Sequence, residues 1–106
     1  MNINKNSFSI CQNPPKEVIN ALVSLANEGK WDSVLFKVIE LVERFPNSPF
    51  LYGIRGDAYF QTNDLNKAKD SYKKTLELDP TSANAYFNLG VVAEQKAEFD
   101  LALENY

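Results

Sequence analysis

The sequence predicts an all-α fold, a solenoid of stacked helical hairpins, and three observations carry that prediction. Landmark residues recur with a fixed period: Pro46 and Pro80, Gly56 and Gly90, Ala68 and Ala102, and Tyr72 and Tyr106 each lie 34 residues apart. Between these landmarks the apolar residues fall three and four apart, the spacing of a helix face. Glycine, asparagine and proline interrupt the apolar runs at short intervals, as hairpin turns require. A period of this length marks a two-helix unit that cannot bury its apolar face alone and stacks on its neighbours. Such a stack is a surface for holding other proteins.

Residues 1–13 (MNINKNSFSICQN) read as a flexible N-terminal segment, polar and rich in asparagine. The helical domain takes up 14–106, in repeats of about 15–48, 49–82 and a truncated 83–106. Asn13 is the expected cap of the first helix, with proline in its first turn, where a missing N–H has no partner to lose. Val18, Ile19, Ala21, Leu22, Val23 and Leu25 give that helix its apolar face, and Gly29-Lys30 breaks it. A second helix is expected from Trp31 to Phe45, stopped by Pro46-Asn47-Ser48.

In the second unit Ser48 caps a helix that opens with Pro49 and ends near Thr62-Asn63. Asp64 caps its partner, which ends at Asp79-Pro80, where the residue before proline is pushed out of the helical region. The third unit starts at Ser82-Ala83, is expected to turn near Ala97-Glu98, and restarts with Phe99. Paired helices approach closely where facing residues are small, so Gly56 with Ala68, and Gly90 with Ala102, are the expected contacts. A glycine inside a helix costs about 0.5–1 kcal/mol relative to alanine, which argues for a packing reason at both positions.

The segment from Leu51 to Pro80 closely resembles the tetratricopeptide repeat, through Tyr52, Gly56, Tyr59, Ala68, Tyr72, Leu76 and Pro80. The segment from Tyr86 resembles the first two-thirds of the same repeat through Tyr86, Leu89, Gly90, Phe99, Ala102 and Tyr106. Residues 15–48 fit the register with Gly29, Trp31 and Pro46, but carry Leu22 where the repeat usually has glycine and Val34 where it usually has alanine. The resemblance implies a right-handed helical-hairpin solenoid of about two and a half to three repeats, whose concave face is built by the first helix of each pair.

That concave face is where the family usually binds extended peptides. In the register implied by the resemblance, the first helices turn Ile19, Val23 and Asn27, then Gly53, Asp57, Phe60 and Gln61, then Asn84, Phe87, Asn88 and Val91 inward. Side-chain amides suit a peptide backbone because each offers a donor and an acceptor. The plainer reading is that Ile19, Val23, Phe87 and Val91 pack on the N-terminal segment or a neighbouring chain. Some family members clamp acidic chaperone tails with lysine, asparagine and arginine. Here those places carry Ile19, Val23 and Ile54, with only Asn88 matching in kind if the register is shifted, so the cationic part is missing.

Charge and composition narrow the function further. The formal net charge of −3 speaks against a phosphate footprint and hence against nucleic acid. The chain has no histidine, the commonest metal ligand and general base, and a single cysteine, Cys11, which reads as an inert thiol. No phosphate loop, paired catalytic carboxylates or metal-ligand cluster stands out; no catalytic residue, metal or cofactor is expected. The Lys67, Lys69, Lys73 and Lys74 run reads as a solvated outer face. No apolar stretch approaches the length needed to span a bilayer, and the default location is cytoplasmic.

The expectation is therefore a non-enzymatic scaffold or adaptor that binds a partner protein or peptide on its concave face, with no nucleic acid and no membrane. Leu101, Leu103 and Tyr106 have no polar capping element after them, and a solenoid needs one. Self-association through that open C-terminal end, or fraying of the last helix, is the expected consequence. The same feature supports an alternative: the N-terminal repeat segment of a larger enzyme, such as a glycosyl- or sulfotransferase, serving substrate recruitment or oligomerisation.

Overall fold

Ser48 shows how closely the chain follows its local signals. Its Oγ accepts the Leu51 N–H at 3.3 Å and so caps the helix that opens with Pro49. One period later the Ser82 Oγ accepts the Ala85 N–H at 3.2 Å at the start of the next such helix. The computed structural model describes residues 13–104. They form five helices: α1 Lys16–Asn27, α2 Trp31–Arg44, α3 Pro49–Gln61, α4 Leu65–Leu78 and α5 Ala83–Glu104. Each helix packs on the next one along the chain, the arrangement of an all-α repeat solenoid.

The first two hairpins turn in the same way. Gly29 and Asn63, 34 residues apart, both take positive φ, 75° and 66°. Around Gly29 the Lys30 N–H reaches the Leu25 carbonyl and the Gly29 N–H the Ala26 carbonyl, each at 2.9 Å. Around Asn63 the Asp64 N–H reaches the Tyr59 carbonyl at 2.8 Å and the Asn63 N–H the Phe60 carbonyl at 3.1 Å. Glycine and asparagine are the residues that enter the left-handed region at low cost. Asp64 then caps α4, its Oδ1 accepting the Lys67 N–H at 3.3 Å.

The third hairpin is not made. A turn was expected near Ala97-Glu98, yet α5 runs unbroken through both residues. The position one period after Gly29 and Asn63 is Ala97, and the position after the Asp64 cap is Glu98. An L-residue other than glycine or asparagine pays about 1–2 kcal/mol to turn left-handed, and glutamate is a poor N-cap. The stretch AEQKAEFD also contains no glycine, proline or asparagine, so continuing the helix is the cheaper course.

Two further expectations are corrected. Gly90 and Ala102 lie on this one helix, about 18 Å apart at 1.5 Å per residue, and cannot be the facing pair of a hairpin. A Cβ on Gly90 would meet nothing within 4 Å, whereas one on Gly56 would lie 2.5–2.8 Å from the Tyr72 ring. The nearest neighbour of Gly56 is thus the Tyr72 ring. Asn13 does not cap α1, whose N-cap is Pro15, without a side-chain bond. Instead its Oδ1 accepts a bond from the Ser48 hydroxyl at 2.5 Å and ties the start of α1 to the start of α3. The expected N-terminal segment, residues 1–13, lies outside the described residues apart from Asn13.

The apolar core falls into two clusters. Leu22, Val34, Val38, Leu41, Leu51, Ile54 and Ala58 are buried where α1, α2 and α3 meet. Leu65, Ala68, Tyr72 and Val92 are buried between α4 and α5, with Tyr59 and Phe60 against them. Fully burying a side chain such as Leu22 or Leu51 contributes about 1.5–3 kcal/mol. Among buried polar groups, Ser71 and Thr75 are satisfied within α4, their hydroxyls donating to the Lys67 and Ser71 carbonyls at 2.9 and 3.1 Å. Ser71 Oγ also accepts from Arg55 Nε at 2.9 Å, which pins α3 to α4.

Candidate protein-binding groove

Residues three, four and seven apart on a helix share a face, and on α3 and α5 that rule selects Gly53, Asp57 and Phe60, and Asn84, Phe87, Asn88 and Val91. These faces look into a groove made of two adjoining concavities, of about 580 Å³ and 330 Å³. The larger is walled by Val23, Ala26 and Asn27 of α1, Phe50, Gly53 and Asp57 of α3, and Asn84, Ala85 and Asn88 of α5. The smaller continues it past Phe60 and Gln61 to Phe87 and Val91. Trp31, Asp57, Tyr72 and Asn88 line both.

Ten of the eleven residues expected on the concave face line this groove: Val23, Asn27, Gly53, Asp57, Phe60, Gln61, Asn84, Phe87, Asn88 and Val91. Ile19 is half-buried and lines neither concavity. Phe87 is 70% exposed, so its ring stands on the rim and supports no core packing. Side-chain amides from α1, α3 and α5 alternate with apolar surface along the wall.

Trp31, Tyr72 and Thr75 are among the groove residues that were not anticipated. Trp31 opens α2 next to the Gly29 turn, and that turn carries its ring to the wall. Tyr72 and Thr75 belong to the second helix of their pair and form the floor. Thr75 reaches the groove through a gap in α3, because Gly53 has no side chain; a Cβ there would meet only Thr75 Oγ1, at 3.9 Å. The signal for the gap was in the sequence, as a glycine four residues before Asp57 on the same helix face.

The chemistry of the floor centres on Asp57 and Tyr72. The Tyr72 hydroxyl donates to Asp57 Oδ1 at 2.5 Å. Burial raises the Asp57 carboxyl above its ordinary 3.8, with the Tyr72 bond pulling the other way. Burial also pushes the Tyr72 phenol well up, reinforced by the bond to Asp57 and by its charge. Among the described residues no lysine or arginine forms an ion pair with Asp57, and none lines either concavity. The lysines of α4 pair on the outer surface instead, Lys67 with Asp64 at 3.8 Å and Lys74 with Glu77 at 3.4 Å. Exposed pairs of this kind contribute little to stability. No cluster of metal-ligating side chains occurs among the described residues, and no helix there is long and apolar enough to cross a membrane.

Comparison with known proteins agrees with this architecture. Residues 56–96 match the family model described as TPR repeat. Human tetratricopeptide repeat protein 12 is 29% identical over 79 residues, 74% of this chain and 10% of that protein. The chain thus spans about a tenth of the length of the curated relative it matches. The helix hairpins and the period of 34 are in keeping with a TPR repeat over residues 56–96. The repeat is a protein–protein interaction module.

Proposed function

We propose that this chain is a non-enzymatic adaptor that holds an extended segment of a partner protein in the groove between α1, α3 and α5. The repeats divide at about 15–48 and 49–82, with a third unit from 83 onward, and the first helix of each supplies one strip of the wall. The observation that carries this reading is the wall itself: apolar rings of Trp31, Phe60 and Phe87 interleaved with Asn27, Gln61, Asn84 and Asn88. Rings take a peptide's apolar side chains, and amides take its backbone. Helices already stacked lower the ordering cost of binding. The partner is a protein rather than a nucleic acid, given the net charge of −3, and the site of action is the cytoplasm.

Trp31 is the chain's single tryptophan and lies on the wall, so its fluorescence reports occupancy. Peptides selected from a random displayed library on the whole chain are expected to change that fluorescence and to bind Phe87→Ala more weakly. Selected peptides that leave Trp31 unperturbed and bind Phe87→Ala equally well would place the contact elsewhere. In the alternative, where the repeats recruit substrate for a transferase domain, the same groove is used. The intact mass of the protein made by its source cell separates the two: a mass well above 12.0 kDa favours the larger enzyme.

A second reading concerns the far end of α5. Leu101 and Leu103 are 59% and 74% exposed, and Phe99 stands beside them. Self-association through these residues would bury them. It predicts a mass that rises with concentration in light scattering, and that ceases to do so in Leu101→Ser/Leu103→Ser.

A further inference from the structure

Asp57 is a half-buried carboxylate on the floor of a groove whose walls carry no cation among the described residues, where its hydrogen-bond partner is the neutral Tyr72 hydroxyl. A charge held this way has lost much of its hydration without gaining a counter-charge, and that cost is relieved only by protonation or by a cation arriving from outside. The surroundings suit the second course. Trp31, Phe60 and Phe87 stand around the same floor. Aromatic faces attract a cationic head and accept the aliphatic stem that carries it. Asp79, the other carboxylate on the wall, accepts from the Thr81 N–H at 3.2 Å and hydroxyl at 2.8 Å, two bonds against the single one to Asp57.

We propose that the groove selects a partner segment that sets a lysine or arginine side chain against Asp57, with apolar neighbours resting on Trp31, Phe60 and Phe87. This rests on the groove reading above and adds the chemistry of the occupant. The selectivity has two parts. Attraction to Asp57 favours a basic segment, and with no wall cation among the described residues an acidic segment is left unpaired against a like charge. The pairing sits in a partly desolvated site, where a charge pair is stronger than on an open surface.

The test is a random twelve-residue peptide library displayed on phage and selected in parallel on the whole chain and on Asp57→Asn. Asparagine keeps an oxygen for the Tyr72 hydroxyl, and a cooperative thermal melt checks that the variant stays folded. The wild-type chain is expected to enrich lysine or arginine at one peptide position flanked by apolar residues, and Asp57→Asn to lose that enrichment. For one selected peptide, replacing the basic residue by norleucine should weaken binding to the wild type about tenfold or more, and to Asp57→Asn by little. Wild-type peptides without a fixed basic position would overturn the proposal, as would a basic residue whose loss costs the same on both proteins. Either result leaves the groove reading intact if Phe87→Ala still weakens the peptides. A library that yields no binder at all counts against both.

Discussion

The Tyr72 hydroxyl bonds to Asp57 Oδ1 at 2.5 Å, and this one contact ties the packing of the second hairpin to the chemistry of the groove. Tyr72 is 3% exposed and reaches under α3 from α4. Its ring lies against the bare backbone of Gly56, so that its hydroxyl meets the residue next in sequence. Gly56 makes room for the ring, the ring carries the hydroxyl, and the hydroxyl fixes the carboxylate at the groove floor.

That carboxylate makes stability depend on pH in a definite direction. The Asp57 carboxyl in the folded chain stands above its ordinary 3.8, chiefly through burial, so the folded state holds the proton more tightly than the unfolded one. Its contribution to stability is fully present below 3.8 and is lost as pH rises through the folded value. Asp57→Asn cannot titrate and still accepts the Tyr72 hydroxyl. The stability of the wild type relative to Asp57→Asn is therefore expected to fall as pH rises from about 4 towards neutrality. Urea unfolding at a series of pH values reads this difference, in which the other carboxylates cancel. A flat difference, or one that moves in favour of the wild type, would mean the carboxylate is better solvated than its burial indicates.

The two period-related glycines should respond in opposite ways to the same methyl group. At Gly56 an added Cβ would fall 2.5–2.8 Å from the Tyr72 ring, which is buried and held by its own hydroxyl. Gly56→Ala is expected to destabilise by about 1–3 kcal/mol through overpacking. At Gly90 an added Cβ meets nothing within 4 Å, and the residue sits inside α5. There the helix-propensity term acts alone, and Gly90→Ala is expected to stabilise by about 0.5–1 kcal/mol. Chemical denaturation of both variants checks the pair. Losses of equal size would restore a close packing partner to Gly90.

Gly53→Ala is a sharper probe of the floor. The new Cβ would sit at ordinary contact distance, 3.9 Å, from Thr75 Oγ1, so α3 gains propensity without a clash. Stability is expected to rise by about 0.5–1 kcal/mol. The same methyl group partly closes the gap through which Thr75 lines the groove, so peptides selected on the wild type should bind this variant more weakly. A variant that is more stable and binds unchanged would show that the occupant does not reach the floor.

Most of the fold was legible because its determinants are local. Ser48, Asp64 and Ser82 each cap the helix that follows, and Gly29 ends the first hairpin helix, as residue type alone indicates. The groove wall was legible for a related reason: once α3 and α5 are helices, a three-and-four spacing decides which side chains share a face. What escaped depends on contacts between helices. The Asp57–Tyr72 bond joins residues 15 apart on different helices, and nothing in either helix alone announces it. Asn13 looked like a cap because it precedes Pro14 and Pro15, but the Ser48 hydroxyl from another unit claimed its oxygen. The periodic pairing of Gly90 with Ala102 failed for a different reason. It assumed a turn between them, and the repeat's glycines and alanines recur at Gly90 and Ala102 although its turn residue does not recur at Ala97.

The continuity of α5 is accordingly attributed to two residues, and that attribution can be tested directly. Gly29 and Asn63 turn their hairpins with positive φ, and Asp64 caps the helix after its turn; Ala97 and Glu98 stand at the equivalent positions. Ala97→Gly removes the left-handed penalty of about 1–2 kcal/mol and also weakens the continuous helix by about 1 kcal/mol. Glu98→Asp adds a capping side chain, a preference of about 1 kcal/mol over a poor cap. The three effects act together against continuity, so the double variant is expected to break the helix near residue 97. Backbone Cα chemical shifts of residues 94–104 read the outcome residue by residue. In the wild type they should stay helical through 97 and 98, and in the double variant the shift at 97 should leave the helical range. Helical shifts retained through 97 in the double variant would show that continuity comes from the strong helix formers flanking the site rather than from the missing turn.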